Sequence, residues 1–181
     1  GLAEQASLLA EAFSALPGEV ALLDPEPVAA MDAAGSRTEI AHGRHLVLRV
    51  RPEAERRVLL TGHMDTVFGA DHPFQQASWR DPATLNAPGA ADMKGGIAVI
   101  LATLQAFEET PEAQGLGYDV LINSDEETGS LSSAPLIERL AQGKFAALTY
   151  EPSALPDGTL AHARGGSGNF SVAIRGRSAH A

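Results

Sequence analysis

Three short apolar runs in this chain each lead into polar, metal-binding types of side chain. The runs extend over Arg57 to Thr61, Tyr118 to Ile122 and Lys144 to Tyr150. The groups that follow them are His63 and Asp65, then Glu126 and Glu127, and finally Glu151. Such runs predict buried strands. Because open α/β sheets collect ligands and reactive groups at the carboxyl ends of their strands, we expect these side chains to lie close together.

Apolar residues recur at helical spacing in three other segments, so helices alternate with the strands. The segments are Leu2 to Leu16, Ile97 to Phe107 and Ser133 to Ala141. Asp92 stands just ahead of the second segment, and Gly143 is placed to form a left-handed cap after the third. This alternation predicts an α/β fold with a mostly parallel sheet.

The remaining segments show weaker patterns. His45 to Val50 alternates like an exposed edge strand and is predicted to form a hairpin with the run before His63. Val67 to Pro88 lacks periodicity and is interpreted as a long functional loop. Leu160 to Ala163 and Phe170 to Ile174 predict short strands, and the glycine-rich residues 165–168 suggest a domain boundary.

Composition excludes several classes of function. The 181 residues are 44% hydrophobic, enough to bury a sizeable core in one principal domain. The formal net charge of −10 and the dispersed arginines argue against a nucleic-acid partner. No apolar run is expected to approach the length of a membrane span. We expect a cytoplasmic protein, and Gly at position 1 is compatible with a trimmed start.

The His63 and Asp65 pair suits a metal site. At the end of an extended segment, side chains two residues apart leave the same face. Asp65 can therefore hydrogen-bond one imidazole nitrogen while the other nitrogen binds a metal. A surface histidine beside an acid is the commoner explanation of such a pair alone, and the other acidic groups favour the metal. Since the chain has no cysteine, any metal must be held by imidazole and carboxylate groups.

The triplet Asp125-Glu126-Glu127 places three like charges after an apolar strand. Close packing there raises carboxyl pKa values unless a cation or hydrogen-bond donors compensate. A solvated acidic turn is the ordinary alternative, but one glutamate can bind a metal while the other acts as a general base. Asp92 alone would usually be an N-cap, although Gly95-Gly96 after it allows close backbone approach.

Three segments together resemble the motifs of dinuclear zinc carboxypeptidases and amidohydrolases. They are Thr61-Gly62-His63-Met64-Asp65-Thr66-Val67, Ala91-Asp92-Met93-Lys94-Gly95-Gly96 and Asp125-Glu126-Glu127-Thr128-Gly129-Ser130, in the family's order. Glu151-Pro152 and Gly176 to Ala181 extend the likeness, which covers most of the chain from about His45 onward. The family includes glutamate carboxypeptidase, acetylornithine deacetylase, succinyl-diaminopimelate desuccinylase and the aminoacylases.

The resemblance implies a fold and a set of metal ligands. It implies a three-layer αβα zinc exopeptidase-like catalytic domain over residues 1–164 and the start of an α+β dimerisation domain over residues 165–181. Asp92 would bridge two zinc ions, His63 and Glu151 would complete one site, and Glu127 would bind the other ion. Cobalt or manganese would also suit these ligands. The Asp92-Met93 peptide bond is expected to be cis.

The resemblance also implies catalytic roles. Glu126 would be the general base that takes a proton from the metal-activated water and returns it to the leaving amine. Asp65 would clamp the His63 ring. In a homodimer of the full-length protein, His180 would reach the neighbouring subunit's active site and stabilise the oxyanion. Glu rather than Asp at position 151 favours substrates with a free carboxylate, namely N-acyl amino acids or C-terminal amino acids.

Two departures from the family pattern stand out. The Gly-x-Gly ahead of the bridging aspartate reads Ala87-Pro88-Gly89-Ala90-Ala91-Asp92, with one glycine replaced by alanine. The family's last metal ligand is a histidine near the end of a longer chain, and neither His162 nor His180 suits it by position. We therefore expect a fragment in which the His63 site, with three ligands and an open position, is the more secure. The three other histidines are expected to be solvated and without a role: His42, His45 and His72.

Two other functions stay open. A truncated relative that holds one metal and catalyses nothing would be a binding or structural module. A base at Glu126 favours an enzyme instead, whereas the missing terminus favours inactivity. An aminopeptidase-type relative is disfavoured by Glu151.

Overall fold

The computed structural model describes residues 1–32, 34–153, 155, 157–163, 165–166, 168 and 170–177. They separate into two compact units, residues 1–26 with 42–152, and residues 27–41 with the described part of 153–181. The predicted domain boundary between residues 164 and 165 stays a prediction. His180, the predicted oxyanion group, lies outside the described residues.

The described residues of the two units form three α-helices and nine strands, and helices and strands alternate from Gly95 to Thr149. In chain order the elements are α1 (Leu2–Phe13), β1 (Glu19–Leu23), β2 (Val28–Met31), β3 (Arg37–Ile40), β4 (His45–Val50), β5 (Arg57–His63), β6 (Ser78–Asp81), β7 (Thr84–Asn86), α2 (Gly95–Glu108), β8 (Gly117–Asn123), α3 (Ala134–Ala141) and β9 (Ala146–Thr149). A π-helical turn, Ala90–Lys94, precedes α2, and a short 3-10 turn, Glu126–Thr128, follows β8. Gly143 has the predicted left-handed conformation after α3, with φ of 69°.

The main sheet of the first unit has five strands among the described residues, in the order β1-β4-β8-β5-β9. Strands β8 and β9 both run parallel to β5, and Thr61 is in register with Leu121 on one side and Thr149 on the other. Strand β4 is antiparallel to both β1 and β8. The predicted α/β fold is confirmed. The sheet is mixed, and its parallel part consists of the three strands that precede the candidate site residues.

Helices cover both faces of this sheet. On one face, Phe13 of α1 and Ile100 of α2 pack against inward-facing residues such as Val120. On the other face, Leu136 and Leu140 of α3 pack against a second apolar set, Val47, Leu59 and Leu121. Successive strand residues point to opposite faces. Strands buried on both faces therefore read as continuous apolar runs, which explains the sequence of β8.

The predicted edge strand and hairpin at His45 to Val50 are wrong. Strand β4 lies inside the sheet, and β8 separates it from β5. His45 is buried, with 1% of its surface exposed, so the expectation of a solvated side chain is also wrong. The segment His45-Leu46-Val47-Leu48 is buried throughout. A continuous apolar stretch of this kind is typical of a central strand.

Several other elements differ from the predictions. Strand β1 and the β2–β3 hairpin were not predicted, and the segment interpreted as a loop from Val67 to Pro88 contains the β6–β7 hairpin. The predicted strands at 160–163 and 170–174, all described residues, are not strands. Their large apolar side chains are exposed, 90% in the case of Phe170, and no described strand pairs with these segments.

One helical stretch of the described chain, Ala90–Glu108, is long and apolar enough to span a membrane, with a mean hydropathy of 1.2. Because Asp92 and Lys94 interrupt this stretch, the expectation that no uninterrupted apolar run approaches this length stays a prediction. Length and composition alone are weak evidence, since the core helix of a globular domain passes the same test. Ile97, Ile100 and Leu104 of this stretch pack into the core of the first unit.

Candidate metal centre

Strand register brings His63 and Glu151 to the same level of the sheet. His63 is the last residue of β5, and Glu151 lies two residues beyond Thr149, which pairs with Thr61. His63 and Glu151 therefore each lie two residues beyond the paired residues Thr61 and Thr149. The result is a distance of 3.5 Å between His63 Nε2 and Glu151 Oε1.

The π-helical turn before α2 delivers Asp92 to the same place. The Asp92-Met93 peptide bond is cis, as the resemblance implied. The Met93 side chain is fully buried, and its Sδ accepts a hydrogen bond from the His63 backbone N–H at 3.1 Å. Asp92 Oδ1 lies 2.9 Å from His63 Nε2.

These three residues form a cluster that fits a divalent metal ion. One ligand atom from each of His63, Asp92 and Glu151 lies within 4.8 Å of the others. The imidazole is 1% exposed, whereas the Asp92 side chain is 54% exposed, so the cluster opens to solvent on its carboxylate side. One nitrogen and two oxygen donors with an open side are a set that suits catalytic zinc.

The pKa values of the acidic groups also favour a cation here. Burial and the charge of Asp92 raise the pKa of Glu127 above its ordinary value. Burial likewise raises the pKa of Glu151, the charge of Asp92 adds to the shift, and the charge of His63 opposes it. Several carboxylates that disfavour each other's ionisation are relieved by a bound cation.

The His63 imidazole is held between carboxylates. Burial lowers its pKa, but hydrogen bonds to Asp65 and Asp92 and the charge of Glu151 outweigh burial and raise the pKa to about 9. The site therefore attracts positive charge at the imidazole strongly, and a metal ion can replace the proton there.

Asp65 connects the His63 ring to the two glutamates. Its carbonyl oxygen lies 3.1 Å from His63 Nδ1, and its Oδ1 lies 3.4 Å from the same nitrogen. Its two carboxylate oxygens accept the backbone N–H groups of Glu126 at 3.2 Å and Glu127 at 2.9 Å. Burial raises the pKa of Asp65, but the bonds to His63 and Glu127 bring it below its ordinary value. Asp65 is thus an ionised anchor.

Two glycines allow the elements of the site to approach. A Cβ atom on Gly96 would overlap the carbonyl oxygen of Tyr150, next to Glu151. A Cβ atom on Gly62 would lie 2.6 Å from Met93 Cε. The close backbone approach expected at Gly95-Gly96 is therefore found at Gly96.

The predicted site residues do not all occupy the cluster. His63, Asp92 and Glu151 come together, and Glu126 Oε2 lies 4.0 Å from His63 Nε2. Glu127 is outside the three-residue cluster, although the charge of Asp92 acts on it. Among the other histidines, His72 is exposed, as predicted, and His162 is exposed too. His42, which was also predicted to be solvated, is half-buried.

Sequence reasoning missed a buried polar network behind the two glutamates. Its members are His45, Asn123, Asp125, Ser132 and Ser133, all buried. The ordinary alternative for Asp125-Glu126-Glu127 was a solvated acidic turn. The Asp125 residue is instead fully buried, with 0% of its surface exposed. The available signal was the two runs of small polar residues, Asn123-Ser124-Asp125 at the end of β8 and Ser132-Ser133 before α3.

Comparison with known proteins identifies the family. Residues 59–175 match the family model described as Peptidase family M20/M25/M40, and the chain belongs to this family. Its members are metal-dependent peptidases and amidohydrolases, usually with zinc. The family resemblance inferred from the sequence is confirmed, and with it the class of enzyme to which the family's members belong.

Curated relatives match the chain over about a third of their own length. Carboxypeptidase G2 from Pseudomonas sp. (strain RS-16) is 36% identical over 143 residues, which cover 77% of this chain and 34% of the relative. Acetylornithine deacetylase from Shigella sonnei (strain Ss046) is 37% identical over 133 residues, covering 68% of this chain and 32% of the relative.

A solved structure supports the fold. Human carnosine dipeptidase 1 superimposes with a TM-score of 0.62 at 18% identity, over 82% of this chain and 32% of that chain. At this level of identity, the likeness shows the fold alone.

Proposed function

We propose that this chain carries the metal centre of a hydrolase that cleaves the amide or peptide bond of an N-acyl amino acid or a C-terminal amino acid. The convergence of His63, Asp92 and Glu151 within 4.8 Å, in a member of this peptidase family, is the observation that carries the proposal. His63, Asp92 and Glu151 would hold one zinc ion, and Asp92 with Glu127 would contribute to a second. Cobalt or manganese are alternatives.

Glu126 and Asp65 would have different roles in the proposed reaction. A bound ion would acidify the attacking water and polarise the scissile carbonyl. Glu126, whose carboxylate is half-exposed beside His63, would act as the general base that takes a proton from the attacking water and returns it to the leaving amine. Asp65 keeps the His63 ring oriented and holds the backbone of both glutamates.

The proposed substrate is a small molecule or peptide with a free carboxylate. Glu151 supports this choice through the family resemblance, and the names carboxypeptidase G2 and acetylornithine deacetylase of two relatives agree with it. We further propose a homodimer in which His180 stabilises the oxyanion of the neighbouring site. The net charge of −10 argues against nucleic acid, and we propose neither nucleic acid nor a membrane as a partner.

Metal analysis joined to one substitution tests the proposal. The purified chain should retain zinc through dialysis and hydrolyse members of a panel of N-acetyl amino acids and peptides, and a chelator should abolish turnover. Glu126→Gln should keep the metal and lose turnover about 1,000-fold, whereas Glu138→Gln, an exposed change on α3, should change neither. Failure to bind metal, or full turnover in Glu126→Gln, would show that the proposal is wrong.

A further inference from the structure

We propose that Asp125 is a positioning residue for Glu126, acting through the buried network that joins the glutamate turn, residues 125–130, to the sheet and to α3. This inference rests on the proposed function, because it assigns Asp125 a role in placing the proposed general base. Nothing in the family motif as interpreted from the sequence gives Asp125 a task of its own.

The Asp125 carboxylate fastens the turn to the start of α3. Its Oδ2 accepts the backbone N–H groups of Ser132 at 2.7 Å and Ser133 at 3.1 Å. Its backbone carbonyl accepts the N–H of Ser130 at 2.7 Å. Amides at the beginning of a helix favour an anion, and a fully buried carboxylate requires such donors. The turn is therefore closed at both of its ends by one residue.

Asn123 joins this carboxylate to the end of β8. The Asn123 side-chain amide donates to Asp125 Oδ1 at 3.3 Å and to Ser133 Oγ at 2.8 Å. Asn123 pairs with His63 across the parallel strands β8 and β5. The network thus starts from the same level of the sheet as the His63 imidazole.

His45 fixes the network from the neighbouring strand. The N–H of Ser124 donates to His45 Nδ1 at 3.3 Å, so the proton of the neutral ring lies on Nε2, which faces Ser132 Oγ at 3.3 Å. Burial lowers the pKa of His45, and the charge of Asp125 offsets only part of that shift. A neutral imidazole therefore bridges β4, the end of β8 and the segment before α3.

Glu126 depends on this backbone support. Its carboxylate makes no hydrogen bond to any described residue, and its Oε2 lies 4.0 Å from His63 Nε2. Its backbone N–H is held by Asp65 on one side, and the residues after it are held by Asp125 on the other. Ser130 completes the turn in the left-handed region with φ of 55°, a conformation that its bond to Asp125 sustains. The carboxylate position thus follows from the backbone.

Asp125→Asn is the informative variant, with Asp119→Asn as its matched control. Both changes remove one buried carboxylate from the same region of chain, but Asp119 pairs with Lys144 at 2.8 Å, at the other end of β8. In Asp125→Asn, the new side-chain NH2 group faces groups that donate to Asp125, namely the Asn123 amide and the backbone N–H groups of Ser132 and Ser133. Adding Asn123→Asp to Asp125→Asn reverses this pair, so that the amide at position 125 can donate to the carboxylate at position 123.

The expected result separates positioning from stability. With the best N-acetyl amino acid of the panel, Asp125→Asn should lower kcat about 10- to 100-fold with little change in KM. Affinity for the first Co²⁺ ion, measured with Co²⁺ alone, should be unchanged. Amide hydrogen exchange at Glu126 and Glu127 should become faster. Asp119→Asn should change none of these, and the double variant should recover most of kcat.

Either of two results would overturn the inference. One is an equal loss of kcat in Asp125→Asn and Asp119→Asn, and the other is unchanged exchange at Glu126 and Glu127 in Asp125→Asn. If the wild-type chain hydrolyses nothing in the panel, the proposed function fails, and the exchange comparison still decides whether Asp125 positions the turn.

Discussion

The carbonyl oxygen of Tyr150 occupies the space that a side chain on Gly96 would need. This relationship ties the first turn of α2, which follows Asp92, to the segment that leads into Glu151. Two of the three residues in the metal-binding cluster therefore depend on one close backbone contact.

Gly96→Ala should destabilise the fold and weaken metal binding together. The added methyl meets backbone rather than a flexible side chain, so we expect a loss of about 3 kcal/mol in the free energy of unfolding. Urea denaturation and a zinc titration would measure the two effects. Gly115→Ala is the control, because a Cβ atom there meets nothing within 4 Å. Equal effects of the two substitutions would contradict this account.

Metal affinity should rise with pH. The pKa of His63, about 9 in the metal-free protein, means that the ion displaces a proton below that pH. In the metal-free protein, the proton on His63 contributes stability that is fully present below its ordinary pKa of 6.5 and is lost as the pH rises through about 9. The Tm difference between zinc-loaded and chelated protein should therefore increase from about pH 6 to pH 9.

Two histidine variants check that pH dependence. His63→Ala should abolish the increase, whereas His72→Ala, which changes an exposed loop residue, should preserve it. A constant Tm difference across this pH range in the wild-type chain would argue against His63 as the ligand that exchanges proton for metal.

Asp65→Asn should weaken both metal binding and turnover. An amide retains only one acceptor oxygen for the two backbone N–H groups that Asp65 now holds, and it loses the negative charge beside His63. We expect zinc affinity to fall about 10- to 100-fold. Asp71→Asn, in an exposed loop, is the matched change and should leave the zinc titration unchanged. Wild-type zinc affinity in Asp65→Asn would rule out the anchoring role.

The Arg51 and Glu108 pair should stabilise the fold without affecting the site. Arg51 Nη1 donates to Glu108 Oε2 at 3.0 Å, and both side chains are largely buried, 16% and 15% exposed. The bond to Arg51 lowers the pKa of Glu108, so its contribution is present above the ordinary pKa of 4.5 and is lost as the pH falls below that value.

Glu108→Gln should therefore cost about 2 kcal/mol of unfolding free energy near neutral pH, with a smaller loss in acid. Urea denaturation at both pH values would measure it, with the exposed Glu109→Gln as control. Zinc affinity should stay at the wild-type value. A loss that is the same in acid would show that the charge of Glu108 is not its source.

The three parallel strands of the site could be predicted because burial on both faces produces continuous apolar runs, and polar residues mark where the runs end. Their neighbours could not be predicted in the same way. Strand β4 pairs with β8, which follows some seventy residues later along the chain, as in the pairing of Leu48 with Val120. Local periodicity contains no information on such a pairing, so β4 was assigned to the wrong partner and His45 to solvent.

The same limit applies to the candidate site. The pattern of apolar runs placed His63, Asp65 and Glu151 at the ends of neighbouring strands, and the family motif gave Asp92 and Glu151 their roles as metal ligands. The turn-to-helix bonds of Asp125 depend on how α3 packs against the end of β8, which the motif does not specify. The hydrogen bonds by which Asp125 holds the turn that contains Glu126 and Glu127 therefore follow from the fold and not from the motif.

Asp65 touches the ring of one proposed metal ligand with the same carboxylate that holds the backbone of the proposed base. Metal affinity and the position of the Glu126 carboxylate therefore both depend on Asp65. A mutation that adjusts one through Asp65 must disturb the other. Divergence toward new substrates is therefore expected in the surrounding loops, while this residue stays constrained.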